Sequence, residues 1–424
     1  MRIKLAILSV LVLMLTSPSS RALDWSPDGY ADLFDFINDL YAIDPNAGLT
    51  SLTVLNIAAG GRAEAMGNAY SSITEDGLSL EWNPASSSAM EQTGLSVYHN
   101  NWIDDSRLES IVYTTRSDFS GLGAGSKWLY TDFSQNNQFG ERVSGGYYLE
   151  GVAWLNASVR LFPGYYFWGL AAGVNLKGAL RLIPDWADSS GTIQAGSGAG
   201  QSGATVMLDA GLYTRFNFLK FYTTKERNTA VSLVAKNMGI PLLGDPLPSA
   251  ITAGFSWRPL RPILLAIDLT KPLNLQDLSL SENIQLSTGI NAAITPFLAA
   301  RLGLYIRPAH FRISMGAGIS LEKTDIDITY SLDQLTQFRS FNRLSIAATF
   351  KLGDRGRAQK SRQVESYYLD GLEEYARGNT DVALELWKEA LALDRSFDPA
   401  REGIQSIEDT KALEERIDDI QTLD

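Results

Sequence analysis

The chain has 424 residues, a formal net charge of −12 and no cysteine. Absence of the thiol excludes disulfides, thiolate catalysis, cysteine metal sites and a lipid-modified N-terminal cysteine. The acidic balance, with no basic block standing out, excludes an extended nucleic-acid surface, so no nucleic-acid partner is expected.

Arg2 and Lys4 precede the apolar run from Ala6 to Leu15, and the chain then reaches Ser20-Arg21-Ala22. A basic start, about 10 apolar residues and a small residue before a cleavage point predict an export signal over 1–22. The run is too short to span a bilayer, and later apolar stretches also fall short of the roughly 20 residues a transmembrane helix needs. Residues 23–92 form the next unit. Leu33, Phe36, Ile37 and Leu40 make a helical stripe, predicting a short helix that packs at the mouth of the main domain. Small residues then dominate, and Gly60, Gly61, Gly67 and Ala69 permit close backbone approach where a bulky chain could not thread.

From residue 93 to 353 the apolar period is two. Candidate strands lie at 94–101, 107–116, 121–131, 147–162, 166–181, 203–218, 228–237, 249–257, 262–270, 283–292, 297–307, 310–321, 324–330 and 341–352. Val206, Leu208, Ala210 and Leu212 alternate with Met207, Asp209, Gly211 and Tyr213; Leu344, Ile346, Ala348 and Phe350 oppose Arg343, Ser345, Ala347 and Thr349. A water-soluble sandwich shares this period, since it also has one wet face. Many strands of roughly 9–11 residues, an export signal and no long covering helix favour an all-β transmembrane barrel of about 14 antiparallel strands. Closure also satisfies every sheet edge, as hydrocarbon requires.

Two longer connections interrupt the pattern. Residues 182–202 hold Asp185, Asp188 and a Gly/Ser run that predicts a mobile surface loop; residues 238–249 hold Pro241, Pro246 and Pro248. The glycines make no phosphate cradle, because no Gly-Lys-Ser/Thr follows them. After Gly353 a basic linker over 354–363 leads to helical periodicity at 364–424. Tyr368, Leu372 and Tyr375 can meet Ala383, Leu386, Trp387 and Ala390 across a hairpin turning at Gly378-Asn379, with a third helix from Pro399.

Gly61-Arg62-Ala63, Met66-Gly67, Ala69, Glu75-Asp76 and Trp82-Asn83-Pro84-Ala85 occur together just ahead of the strands. This stretch resembles the start of the spirochaete UPF0164 and PorV-like outer-membrane proteins, a group related to FadL, the long-chain fatty-acid transporter. The resemblance spans roughly residues 50–352. It implies a 14-stranded barrel whose N-terminal segment folds into the lumen as a hatch, with Arg62 and Asn83 held by lumen side chains and a hydrophobic substrate moving past. Gly60, Gly61, Arg62, Met66, Gly67, Asn83 and Pro84 are the expected hatch residues. The tail resembles a tetratricopeptide unit, with Gly371, Tyr375, Gly378, Ala383, Trp387, Ala390, Leu391 and Leu393-Asp394 at matching positions. One and a half repeats suit a periplasmic docking knob better than a peptide receptor.

Nothing in the sequence calls for catalysis, a metal or a cofactor. His99 and His310 are far apart and without cysteine lack a zinc set, so each reads as a strand or rim residue. Asp104-Asp105, Asp325 with Asp327, and Glu373-Glu374 lack an adjoining nucleophile or base. Arg160, Lys177, Arg181, Asp209, Arg215, Lys236, Asp268, Arg301, Arg307, Arg312 and Arg343 fall on the less apolar strand face. They make either a neutralised wall that binds the hatch, or a basic set that receives a carboxylate head group beside an apolar path of Phe297 and Tyr305. The expected function is passive outer-membrane transport of a long-chain fatty acid or similar hydrophobic small molecule. The alternatives are a PorV-like scaffold or secretion-associated barrel recruiting a periplasmic protein through residues 364–424, and a general pore.

Overall fold

The computed structural model describes residues 44–421 apart from 104, 189, 309, 337 and 338. The expected export signal and the expected helix through Leu33 and Leu40 lie outside the described residues. Residues 44–92 form short pieces: the 3-10 turn Thr53–Leu55, helix α1 (Gly61–Ala65), helix α2 (Ser79–Trp82) and the 3-10 turn Pro84–Ser88. Nearly every residue from 51 to 90 is buried. So short a chain piece cannot bury itself, and its cover comes from the strands that follow.

Those strands are Gly94–Asn101 (β1), Arg107–Arg116 (β2), Ser120–Asn136 (β3), Arg142–Leu161 (β4), Leu170–Leu182 (β5), Gly203–Phe216 (β6), Thr229–Gly239 (β7), Ser249–Leu260 (β8), Ile263–Leu273 (β9), Gln285–Ala293 (β10), Leu298–Arg307 (β11), His310–Ser320 (β12), Thr324–Thr336 (β13) and Arg339–Lys351 (β14). Each pairs antiparallel with its sequence neighbours, and β14 returns to β1 with Gly94 opposite Lys351 and Asn100 opposite Ser345. The sheet is closed, so no strand keeps an open edge. Both ends of the barrel sequence, Gly94 and Lys351, sit at one rim, called here the tail end.

Burial follows the alternation with its ordinary sign reversed. On β11 Leu302 is 49% exposed while its neighbour Arg301 is 8% exposed. On β6 Val206, Leu208 and Leu212 face out while Met207, Asp209 and Tyr213 are buried. A surface of leucine, isoleucine, valine and phenylalanine around an interior of Lys, Arg, Asp, Asn and Ser is stable where the surroundings are hydrocarbon. Among the described residues no helix is long and apolar enough to cross a membrane.

β3 and β4, of 17 and 20 residues, exceed both the expected spans and the roughly 9–11 residues a bilayer crossing needs. Polar residues such as Asp132, Ser134 and Gln135 continue the ladder beyond the apolar part, where hydropathy gives no signal. The 182–202 connection, expected to be mobile, is laced together. The Asp185 carboxylate accepts from the Gly196 and Gly198 amides at 3.0 and 2.8 Å, and Asp188 accepts from Ser190 and Thr192.

The tail consists of α3 (Arg357–Ala376), α4 (Thr380–Leu393) and α5 (Asp398–Gln421). The expected basic linker at 354–363 is helical from Arg357: Arg, Ala, Gln and Lys are good helix formers, and Asp354 accepts the Gly356 and Ala358 amides at the start. Trp387 is the core of the tail, packed between the rings of Tyr368 and Tyr375 and the side-chain-free faces of Gly371 and Gly403. The helices touch the tail-end turns of the barrel. Tyr166 Oη donates to Glu402 at 3.0 Å, Lys225 pairs with Glu365 at 2.6 Å, Lys360 pairs with Asp118 at 3.0 Å, and the Tyr165 and Phe397 rings meet edge to face.

Candidate functional site: the segment against the barrel wall

Arg62, on α1, faces four carboxylates: Glu75 at 3.1 Å, Asp327 at 3.4 Å, Asp76 at 3.8 Å and Asp325 at 3.9 Å. Two belong to its own segment and two to β13, so one guanidinium ties segment to wall. Burial opposes the Arg62 charge, but Asp327, Glu75 and Asp76 outweigh it and hold the pKa well above the usual guanidinium value. Burial likewise pushes Glu75 up, and Arg62 with Arg258 and Arg301 brings it below the ordinary range. At Asp76 burial wins over Arg62, and its pKa is raised. Arg258 reaches Glu75 at 3.2 Å, and Arg301 pairs with Asp327.

Two residues further on, Glu64 accepts from Ser345 at 2.7 Å, Ser331 at 2.9 Å and Tyr98 at 3.1 Å, three donors on β14, β13 and β1. Gly67 follows with φ 63°, and its chain runs so close to β11 that a Cβ at Gly303 would lie 1.9 Å from the Gly67 nitrogen. Asn83 donates to the Ser71 carbonyl at 2.9 Å and accepts from Ala85 at 2.9 Å, capping the turn that Pro84 begins. Across from it, a Cβ at Gly211 would stand 2.2 Å from Asn83 Oδ1. Pro84 offers its carbonyl to Asn156 at 2.8 Å.

A second polar layer joins the segment to the opposite wall. Lys127 on β3 pairs with Glu81 and donates to the Ile57 carbonyl at 2.8 Å, and Glu150 on β4 accepts from Val54 at 2.8 Å. Lys177 pairs with Asp209 at 2.6 Å; the same carboxylate takes the Asn237 amide at 2.7 Å, a donor freed where β7 slips its register against β6. Buried lysines so paired keep their charge compensated.

Two cavities flank this segment. One, of about 450 Å³, lies at the tail end between Ser72–Gly77, Met90–Gly94 and the wall residues Arg215, Arg258 and Lys351. The other, of about 410 Å³, lies towards the far rim and is lined by Trp82, Trp102, Lys236, Tyr305, Arg307 and Arg312, among others. The expected lumen set therefore divides. Arg160 and Arg215 stack on Trp168 at the tail end, at 5.1 and 5.4 Å from its ring, and Arg215 also donates to Thr74. Tyr305, Arg307, Arg312 and Arg343 gather at the far cavity, with Arg312 5.1 Å from the Tyr305 ring and Arg343 3.8 Å from the Trp102 ring. Lys177 and Arg301 line neither cavity and are held in buried ion pairs with Asp209 and Asp327.

Phe297 departs from expectation: it is 57% exposed in the β10–β11 turn at the tail end, remote from Tyr305 at the far rim. Alternation loses its phase at a turn, so facing could not be read there. Glu64, Glu81, Lys127, Glu150, Asn156 and Asn175 hold the segment but escaped the sequence reading. Lys127 and Glu150 sit in phase with their strands' inward faces, and a charge in that phase was the available signal. His99 pairs with Glu109 at 2.8 Å and His310 begins β12, and among the described residues no group of His, Asp and Glu could hold a metal.

A closed antiparallel barrel of 14 strands with an apolar outer face and a polar inner face is an architecture consistent with the outer membrane. The chain belongs to the uncharacterised protein family UPF0164, whose family model matches residues 44–355. A UPF0164 protein of Treponema pallidum (strain Nichols) is 27% identical over 375 residues, covering 85% of this chain and 83% of its own. A second from the same organism is 25% identical over 372 residues, covering 83% and 74%. Among solved structures, the Ralstonia pickettii toluene transporter TbuX aligns with 70% of this chain and 100% of its own at 13% identity and a TM-score of 0.45. A Pseudomonas aeruginosa FadL homologue aligns with 69% of this chain and 98% of its own at 10% identity and a TM-score of 0.45. At those scores the two structural likenesses carry no functional argument.

Proposed function

We propose that this protein is an outer-membrane barrel that passes long-chain fatty acids or similar hydrophobic small molecules by passive diffusion, with residues 51–90 as its hatch. The observation that carries the reading is the pair of cavities, about 450 and 410 Å³, on either side of a segment fastened by separable polar contacts instead of continuous backbone pairing. Arg307, Arg312 and Lys236 beside Trp82, Trp102 and Tyr305 supply cations and apolar faces together, which suits an amphiphile with an acidic head. Capture draws on apolar area and motive force on the ligand's own gradient. A periplasmic tail end is supported by both ends of the barrel sequence lying at that rim. Uptake of a labelled fatty acid into liposomes tests the reading; equal uptake with and without verified inserted protein contradicts it.

A second reading is a PorV-like scaffold whose tetratricopeptide-like tail recruits a periplasmic protein. It is favoured by Leu369, Val382 and Leu413, which stand exposed on α3, α4 and α5. Deleting residues 356–424 tests it in a pull-down: partners unchanged by the deletion reject recruitment by the tail.

A further inference from the structure

Between the two cavities, along the β7–β9 wall, stands one short turn of the segment. Ser71 and Asp268 line the far cavity, whereas Ser72, Ile73 and Ser256 line the tail-end cavity. On the wall side the turn is held from a single sector. Asp268 on β9 accepts the Tyr70 and Ser71 amides at 3.0 and 2.8 Å, the Ser71 and Ser232 hydroxyls meet at 2.8 Å, and Ser256 donates to the Ser72 carbonyl at 3.1 Å. Inside the segment, Asn83 holds the Ser71 carbonyl and Tyr70 Oη donates to Asp76 at 2.8 Å.

The rest of the segment is fixed elsewhere. α1 is tied to β13, β14 and β1 through Arg62 and Glu64, and Pro84–Ser88 to β4 through Ser87, Asn156 and Ser158. Immediately before the turn Gly67 and Asn68 hold φ of 63° and 69°, a left-handed pair at which the chain direction can change. The turn can therefore leave its sector while both flanks stay docked. Its freed amides and hydroxyls would face polar cavities where water can serve them.

We infer that residues 70–73 are the moving gate between the cavities and that Asp268 is the latch that keeps it shut, a reading that rests on the transport function proposed above and places its control in one turn. Gly254 fits this role, since a Cβ there would come 2.0 Å from Ser71 Oγ and bar the closed position.

The absence of native cysteine permits a direct test on the full-length chain. Ser71→Cys with Ser232→Cys puts two sulfurs where hydroxyls now touch, within reach of a disulfide. Potassium chloride current is recorded across planar bilayers, with the barrel fold of every variant verified by heat-modifiable gel mobility. Oxidation of the pair is expected to cut open events at least about tenfold, and dithiothreitol to restore them. Asp268→Ala, or Asp268→Asn if the alanine variant fails to fold, is expected to raise open events, and the oxidised pair to suppress them in that background. Openings unchanged by oxidation overturn the gate, as does a folded Asp268 variant that opens no more than its parent, and so does silence in all reduced forms. Fatty-acid uptake is scored separately: current that obeys the lock without uptake removes the transport reading and leaves the gate standing.

Discussion

The Arg62 guanidinium lies 3.4 Å from the Asp327 carboxylate, with the two residues 265 positions apart in the chain and the ion pair almost fully buried. It joins the segment ahead of the barrel to the thirteenth strand. Removing one partner leaves uncompensated buried charge, a loss of about 3–5 kcal/mol where such pairs have been broken. Arg62→Ala should therefore release residues 51–90 while the wall stays closed, seen as protease cleavage within 51–90 of a barrel whose gel mobility is unchanged. Arg62→Lys should fall between, because an ammonium cannot serve four carboxylates in the same plane-bound manner.

Gly303 gives a steric counterpart. A Cβ there would meet the Gly67 nitrogen at 1.9 Å, and both positions are backbone, so nothing flexible can yield. Gly303→Ala should displace the segment as Arg62→Ala does, whereas Gly178→Ala, where a Cβ has nothing within 4 Å, should leave it in place. Equal protease protection in the two variants would contradict this packing.

Much of this was legible beforehand. Leu302 with Arg301 and Leu208 with Asp209 alternate in hydropathy alone, and alternation placed β1 and β2 to the residue. It could not extend β3 and β4 past the apolar belt, where Asp132 and Ser134 continue the ladder by backbone pairing. Nor could it orient Phe297 in its turn. The contacts of the segment were hidden for a different reason: Glu64 finds Ser345 and Tyr70 finds Asp268 only after the sheet closes, across about 281 and 198 positions of chain. The glycines of the 60–67 stretch announced close approach without naming the partner strand.

The 182–202 loop should be sensitive to acid. Amides of Gly196 and Gly198 hold the Asp185 carboxyl below its ordinary value, and the Ser190 hydroxyl with the Thr192 amide does the same at Asp188. A folded-state pKa below the unfolded one gives order that is full above the unfolded value, near 3.8, and is lost as pH falls through the lower folded value. Limited proteolysis should thus find the loop protected at neutral pH and cut by an acid-active protease once the pH is taken well below 3.8. Asp185→Ala should be cut at neutral pH as well.

The tail should come away in salt. Lys225 with Glu365 and Lys360 with Asp118 are exposed pairs, each contributing at most about 1 kcal/mol and screened at high ionic strength. A spin-label pair replacing Tyr166 and Glu402 should report a short distance at low salt and a broadened one in molar salt, or with Lys225→Glu and Lys360→Glu combined. The barrel closes without the tail through Gly94 opposite Lys351, so removing residues 356–424 should not change its heat-modifiable mobility.

Membrane insertion can be read residue by residue. Single nitroxides at 343, 344, 345 and 346 on β14, with the protein reconstituted in liposomes, are exposed in turn to oxygen and to a water-soluble nickel chelate. Leu344 and Ile346 should relax with oxygen and ignore nickel, while Arg343 and Ser345 should be shielded from both by the segment they touch through Glu64. Nickel access at Leu344 equal to that of a loop position, or no alternation along the strand, would contradict a barrel set in lipid.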